Sequence, residues 1–203
     1  MTLRVLIADD HPVVRVGLRA LIEANQAEVV AEARDAETAT TLARATRPDV
    51  AVLDVRLGVD DGIKLASVLI NDRIVPRVLM VSAFTGDETI HRALEAGALG
   101  FICKAKAGED LATALRVVAT GRRYMCDVSS RSLAAHGPRI VLTPREREVL
   151  SAMAEGLRNK EIGHRLGVTT ATARTHVEHL LMKFACSDRS RVVALASARG
   201  FLD

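Results

Sequence analysis

The chain of 203 residues has no tryptophan, one tyrosine and four phenylalanines, so aromatics make up only 2% of it. Apolar residues reach 49%, and a core must therefore be built from Val, Leu, Ile and Ala. Cysteine is scarce too. Cys103, Cys126 and Cys186 are odd in number, far apart and form no C-x-x-C. That pattern argues against a disulfide framework and for reduced thiols. No apolar run approaches the ~18 residues of a membrane span. The N-terminus shows no charged-then-apolar leader with a small-residue cleavage site. These absences predict a soluble, cytoplasmic protein with no membrane partner. The chain also lacks a G-x-x-x-x-G-K-[ST] loop, which removes nucleotide hydrolysis by that route.

The charge that is present is uneven. The net is +3. Residues 1–120 carry 14 Lys and Arg against 17 Asp and Glu, whereas residues 121–203 carry 14 against 8. An acidic part joined to a basic part suggests two tasks, and the basic part is the better match for a polyanion.

The first 120 residues alternate short apolar runs with longer amphipathic ones. Strands are predicted at Leu3–Ala8, Glu28–Ala33, Val50–Leu53, Arg77–Val81 and Leu99–Cys103. Helical patterns lie between and after them, at Val13–Ala24, Ala36–Ala45, Gly62–Ile70, Asp87–Ala96 and Glu109–Thr120. Successive βα units predict a five-stranded parallel sheet covered on both faces. Residues 122–141 break the rhythm and read as a linker, with a short helix near Asp127–Ala135. Only helical patterns follow, at Pro144–Glu155, Asn159–Leu166, Thr170–Phe184 and Arg189–Ala198.

In such a sheet, sites form at the carboxyl ends of the strands. Asp9 and Asp10 follow the first strand in "LIADDHP", Asp54 follows the third, Ser82 the fourth and Lys104 the fifth. Asp10 read alone is an ordinary candidate for a helix N-cap. Read together, three carboxylates converging on one edge repel one another unless a hard cation joins them. Mg²⁺ suits one or two carboxylates plus waters and phosphate oxygens. Lys104 adds a mobile positive charge and Ser82 a hydroxyl, which together fit a phosphoryl group. Asp54 then reads as the nucleophile that forms an aspartyl phosphate. A hydrolase of the aspartyl-phosphate kind would need D-x-D at the nucleophile, but the sequence there is Asp54-Val55-Arg56.

"VLIADDHPVVRVGL", "PDVAVLDVRL", "RVLMVSAF" and "EAGALGFICKA" resemble, in order and spacing, the receiver domain of two-component response regulators. The resemblance implies a flavodoxin-like, doubly wound α/β fold over residues 1–121. It implies phosphorylation of Asp54 by a partner sensor histidine kinase. It also implies Mg²⁺ held by Asp10, Asp54 and the backbone carbonyl of Arg56, with Asp9 assisting. Ser82 takes the family's hydroxyl-switch position and Phe101 its aromatic-switch position. Two departures stand out. Leu57-Gly58 replaces the usual X-Pro pair, which predicts a looser loop, and Ala105 stands where a proline normally follows the lysine.

The second constellation starts at Leu142. Thr143, Pro144 and Glu146 spell a capping box with Pro at the first helical position. Gly167-Val168-Thr169 is a tight turn, and Thr169 can cap the next helix. Two helices joined by a Gly-containing turn are a helix-turn-helix signature. The exposed residues of the second helix are read as Thr170, Thr172, Arg174, Thr175 and Glu178, while Ala173, Val177, Leu180 and Leu181 read as core. Lys160 suits a backbone phosphate. His176 and His179 form an H-x-x-H that lacks the further ligands of a zinc site.

"LTPREREVL", "AEGLRNKEIGHRLGV" and "TATARTH" resemble the LuxR-type output domain of NarL/FixJ-class response regulators, a four-helix unit over residues 142–203. The resemblance implies promoter DNA as partner and a homodimer on phosphorylation or DNA binding. It gives Arg174 and Thr175 base-contact positions, and Lys160, Thr170, Thr172 and His176 phosphate-contact positions. Glu178 departs from the basic or neutral residue of many relatives. It could accept from cytosine or repel phosphates. The expected function is that of a DNA-binding regulator switched by phospho-Asp54, not an enzyme beyond promoting its own phosphorylation and dephosphorylation. The alternative is a regulator of the same architecture that acts independently of phosphorylation.

Overall fold

The computed structural model describes residues 2–135 and 139–202. Met1, Asp203 and, within the expected linker, His136, Gly137 and Pro138 lie outside the described residues. The described chain forms two compact units. One is built on residues 2–85 and 90–134, the other on residues 86–89, 135 and 139–202.

Residues 4–135 form β1 (Arg4–Ala8), α1 (Pro12–Ala24), β2 (Glu28–Ala33), α2 (Ala36–Thr46), β3 (Val50–Asp54), β4 (Arg56–Leu57), β5 (Asp60–Asp61), α3 (Gly62–Asn71), β6 (Val78–Ser82), α4 (Asp87–Glu95), β7 (Gly100–Cys103), α5 (Ala107–Ala119), β8 (Tyr124–Met125) and α6 (Asp127–Ala135). A parallel sheet has the order β2-β1-β3-β6-β7-β8. Its central strands are buried on both faces, hence the unbroken apolar runs VAVL and VLMV. Alternate residues serve two core layers. Leu6, Leu53, Met80 and Phe101 pack with Ala39, Leu69 and Ile90 of α2, α3 and α4. Val5, Val52, Val81 and Ile102 pack with Ile22 of α1 and Leu115 of α5.

The sheet has six strands, not the expected five. The extra strand, β8, pairs Tyr124 with Gly100 and Met125 with Phe101. It is too short to show a period of two, and only its partner β7 defines it. It falls in the segment read as linker, and so does α6, whose Leu133 packs on the first core layer. Tyr124 Oη donates to Asp110 Oδ1 at 3.0 Å. Burial and that carboxylate push the phenol up to about 12. A second difference concerns Asp10, which does not cap α1. His11 occupies the N-cap position and makes no side-chain cap bond.

The second unit contains α7 (Pro144–Ala154), α8 (Asn159–Leu166), α9 (Thr170–Lys183) and α10 (Arg189–Ala198). The capping box forms as read. Thr143 Oγ1 accepts from Glu146 N, and Glu146 Oε2 accepts from Thr143 N at 2.8 Å. Lys183 Nζ closes on the same Oε2 at 2.7 Å. Gly167, at φ +64°, ends α8, and Thr169 Oγ1 accepts from Thr172 N at 3.0 Å to start α9. Leu150, Ile162, Ala173, Val177, Leu180 and Val192 form the core of this unit. Among the described residues no helix is long and apolar enough to cross a membrane.

Candidate functional site

The strand order turns at β1, because its neighbours β2 and β3 leave it on opposite sides. Such a turn opens a crevice at the carboxyl edge of a parallel sheet. Asp9 and Asp10 follow β1 on one side of it, and Asp54 ends β3 on the other. Ser82 ends β6, and Lys104 follows β7. The structure brings Asp9, Asp10, Asp54 and Lys104 together and places Ser82 at the end of β6, the neighbour of β3 in the sheet.

Lys104 Nζ lies 2.7 Å from Asp9 Oδ2 and 2.6 Å from Asp54 Oδ2. Asp9 and Asp54 are almost sealed from solvent, at 1% and 5% exposed. Burial pushes the Asp54 carboxyl up, against the lowering effect of Lys104 and with some help from the Asp9 charge. Burial works against the Lys104 ammonium, but its bonds to Asp54 and Asp9 hold it above its ordinary value. Asp9 Oδ1 accepts from His11 N at 2.9 Å, and Asp54 Oδ1 faces Arg56 N at 3.4 Å. Ser82 Oγ accepts from Phe84 N at 3.0 Å. Phe101 is fully buried, its ring inside the core layer that holds Met80.

Ligand atoms of Asp9, Asp10, His11 and Asp54 all lie within 4.8 Å of one another. Asp9 Oδ2 and Asp10 Oδ1 are buried without an aligned hydrogen-bond donor. Asp9 Oδ2 lies 2.7 Å from Lys104 Nζ, and Asp10 Oδ1 lies 2.7 Å from His11 Nδ1. Buried carboxylate oxygens with unused lone pairs are a donor set that a hard, oxygen-seeking divalent cation fits.

The loop after Asp54 is not slack, contrary to the expectation from Leu57-Gly58. β4 and β5 pair as a small antiparallel ladder, Arg56 with Asp61 and Leu57 with Asp60. Gly58 takes φ +65° at its turn, a conformation that a proline could not adopt. Gly62 brings the returning chain against β3 so closely that an added Cβ would lie 1.8 Å from Asp54 O. Asp61 then caps α3 through Ile63 N at 2.9 Å. After Lys104 the chain turns through a single 3-10 turn, Lys104–Lys106, directly into α5.

Sequence reasoning missed two features here. His11 joins the acid cluster, although H-P after D-D reads as a helix start. The Arg56 guanidinium lies 5.1 Å from the centre of the exposed Phe84 ring. That pair spans the loops after β3 and β6, and no local pattern announces it.

On α9, Thr170, Thr172, Arg174, Thr175 and Glu178 are exposed, and so is Lys160 on α8. His176 is half-buried, its ring edge-on to that of His179 with centroids 6.4 Å apart. Two of the hydroxyls are already engaged. Thr172 Oγ1 pairs with Thr169 Oγ1 at 2.9 Å, and Thr175 Oγ1 donates to Ala171 O at 3.2 Å. Arg174 Nε donates to Glu178 Oε1 at 2.8 Å. Exposed cationic and hydroxyl groups at the start of the second helix of a helix-turn-helix are suited to a nucleic-acid groove.

Residues 5–116 match the family described as response regulator receiver domain, and residues 140–196 match bacterial regulatory proteins of the luxR family. The transcriptional regulatory protein LiaR of Bacillus subtilis is 34% identical over 96% of this chain and 96% of its own length. RcsB of Salmonella enterica serovar Typhimurium, solved on a promoter with a phosphomimetic, aligns with a TM-score of 0.72 at 25% identity, covering 98% of this chain and 99% of that one. A structure described as two RcsB dimers on two parallel DNAs aligns with a TM-score of 0.71, again at 25% identity over 98% and 99% of the chains. The chain therefore belongs to the response regulators that join a receiver domain to a LuxR-type DNA-binding domain, a family whose general mechanism is phosphorylation-dependent switching.

Proposed function

We propose that this chain is a transcription regulator switched by phosphorylation of Asp54, with a sensor histidine kinase as donor. The observation that carries the reading is Lys104 Nζ, held between Asp9 and Asp54 at 2.7 and 2.6 Å beside Asp10. An Asp54 oxygen attacks the phosphorus of a phosphohistidine. The O–P bond forms as the N–P bond breaks, and the imidazole leaves. Lys104 is placed to turn its charge from the carboxylates to the transferred oxygens. Ser82, on exchanging its Phe84 N–H contact, supplies a hydroxyl donor to the same group. Phe101 is the ring whose packing follows that movement.

Asp10, Asp54 and the Arg56 carbonyl would hold Mg²⁺, with Asp9 supporting them, and the bound ion supplies positive charge to the phosphoryl oxygens. The protein thereby promotes its own phosphorylation and the later hydrolysis of the acyl phosphate. Phosphorylation shifts the population toward a homodimer that binds two half-sites of promoter DNA. Arg174 and Thr175 reach base edges, and Lys160, Thr170, Thr172 and His176 contact phosphates. The receiver covers residues 1–121, extended structurally by β8 and α6. The segment 122–141, which includes β8 and α6, joins residues 1–121 to the output domain, residues 142–203. The protein works in the cytoplasm, where kinase and promoter are both available.

The test is the intact mass after incubation with acetyl phosphate, with and without Mg²⁺, beside Asp54→Ala. The expected result is a metal-dependent phosphoryl adduct that the variant lacks. An adduct retained by Asp54→Ala would overturn Asp54 as acceptor. No adduct from acetyl phosphate or from any phosphorylated kinase would bring forward the regulator that acts without phosphate.

A further inference from the structure

Arg174 has three nitrogens with which to donate, and Glu178 occupies one of them. Nε donates to Glu178 Oε1 at 2.8 Å, one helical turn away along α9. Both side chains are open to solvent, at 72% and 51% exposed. No other hydrogen bond or ion pair holds Arg174 among the described residues. A lone arginine on an exposed helix face samples many rotamers and meets phosphates and bases alike. An arginine paired at Nε is biased toward fewer rotamers. Its Nη1 and Nη2 edge is left as a two-pronged fork, the geometry that matches the O6 and N7 acceptors of guanine.

The pair also carries no net charge. A neutral pair releases few counterions from DNA, so it gains little from phosphates. The carboxylate beside the guanidinium penalises docking against the backbone. Base edges carry no full negative charge and impose no such penalty.

We infer that Glu178 is a positioning residue that directs the Nη edge of Arg174 to guanine in the major groove, away from phosphate. This rests on the DNA-binding reading and adds the base and the contact mode. It also decides the two roles left open for Glu178 in the sequence. The carboxylate accepts from Arg174 rather than from cytosine, and its effect on phosphates follows from that placement.

The test is selection from a randomised duplex pool by the full-length protein, its phosphorylation state held constant, followed by binding to one fixed non-cognate duplex. The variants are Arg174→Ala, Glu178→Ala and Glu178→Gln, with far-UV circular dichroism to show that each folds. The wild type should enrich a site with guanine at one defined position in each half. Arg174→Ala should lose that preference. Glu178→Ala should weaken it roughly 2- to 5-fold, the worth of an exposed i,i+4 ion pair, and so by less than Arg174→Ala. Glu178→Gln should keep it, because the amide oxygen still accepts from Nε. Both Glu178 variants should bind the non-cognate duplex more tightly, because each loses a negative charge. An unchanged guanine preference in Glu178→Ala would overturn the inference, as would equal loss in Glu178→Gln. If the wild type enriches no sequence at all, the DNA-binding reading itself fails and the role of Glu178 fails with it.

Discussion

Asp9, Asp54 and Lys104 come from three separate strands and meet in a nearly sealed crevice. Thr170, Arg174 and Glu178 come from a single helix and stand in solvent. Both groups are charged, and the charge costs the molecule differently in each place. In the crevice, desolvation is severe and every carboxylate needs a partner. On α9 water screens the charges, and an ion pair adds little stability. Function and folding are therefore coupled at the first site and separable at the second.

Three experiments can break or sharpen that contrast. The largest effect is expected from Lys104→Ala, which strips two buried carboxylates of their shared cation. Without added metal it should lower receiver stability by about 3 kcal/mol, as for a buried pair that loses one partner. Mg²⁺ should recover part of that loss. Urea unfolding followed by circular dichroism at 222 nm, with and without Mg²⁺, measures both. A loss near zero would mean that the crevice is wetter than its geometry implies.

The intermediate case is Glu146, buried at the start of α7. Burial pushes its carboxyl up, but Lys183 and the Thr143 N–H outweigh that and hold it below its ordinary value. A lowered value in the folded state adds stability above the unfolded value, near pH 4.3. That stability disappears as the pH falls through the folded value. Glu146→Gln keeps an acceptor for the Thr143 N–H but loses the ion pair with Lys183, and should cost about 1 kcal/mol at neutral pH. The gap to wild type should close on acidification below about pH 4. Thermal unfolding of the two proteins from pH 7 to pH 3 checks the sign. A gap that widened in acid would contradict it.

The smallest stability effect belongs to Arg174→Ala, which should change unfolding by less than about 0.5 kcal/mol. The same variant should lose sequence-selective DNA binding. Thermal unfolding beside gel-shift titration would show the dissociation. A large drop in melting temperature would mean that α9 depends on its exposed face for folding.

The two sites were also legible in the sequence in different ways. Strand ends are marked by apolar runs that stop at a polar or charged residue, so Asp9, Asp54, Ser82 and Lys104 could be placed without coordinates. Topology did the rest, since parallel strands deliver their carboxyl ends to one edge. The buried and exposed faces of α9 followed from its periodicity. Contacts between loops were not legible. Arg56 and Phe84 lie 28 positions apart in the chain, in two different connections. β8 is two residues long, and its identity as a strand belongs to the partner beside it. The Gly58 turn reads as looseness only until the β4–β5 ladder is seen to need it. The Arg174–Glu178 pair is a different kind of miss. An i,i+4 spacing of opposite charges was present in the sequence as a signal.

Tyr124 has a practical meaning beyond its place in β8. A protein without tryptophan and with one tyrosine has a single phenol chromophore, and here it sits at the last ladder of the receiver sheet. Its near-ultraviolet absorbance and emission therefore report one address. Bonded to Asp110 and resistant to ionisation up to about 12, the ring gives one spectrum when the final strand is seated and another when that strand peels away. The scarcity of aromatics leaves this chain with an optical label at the receiver's final strand, and no dye need be attached.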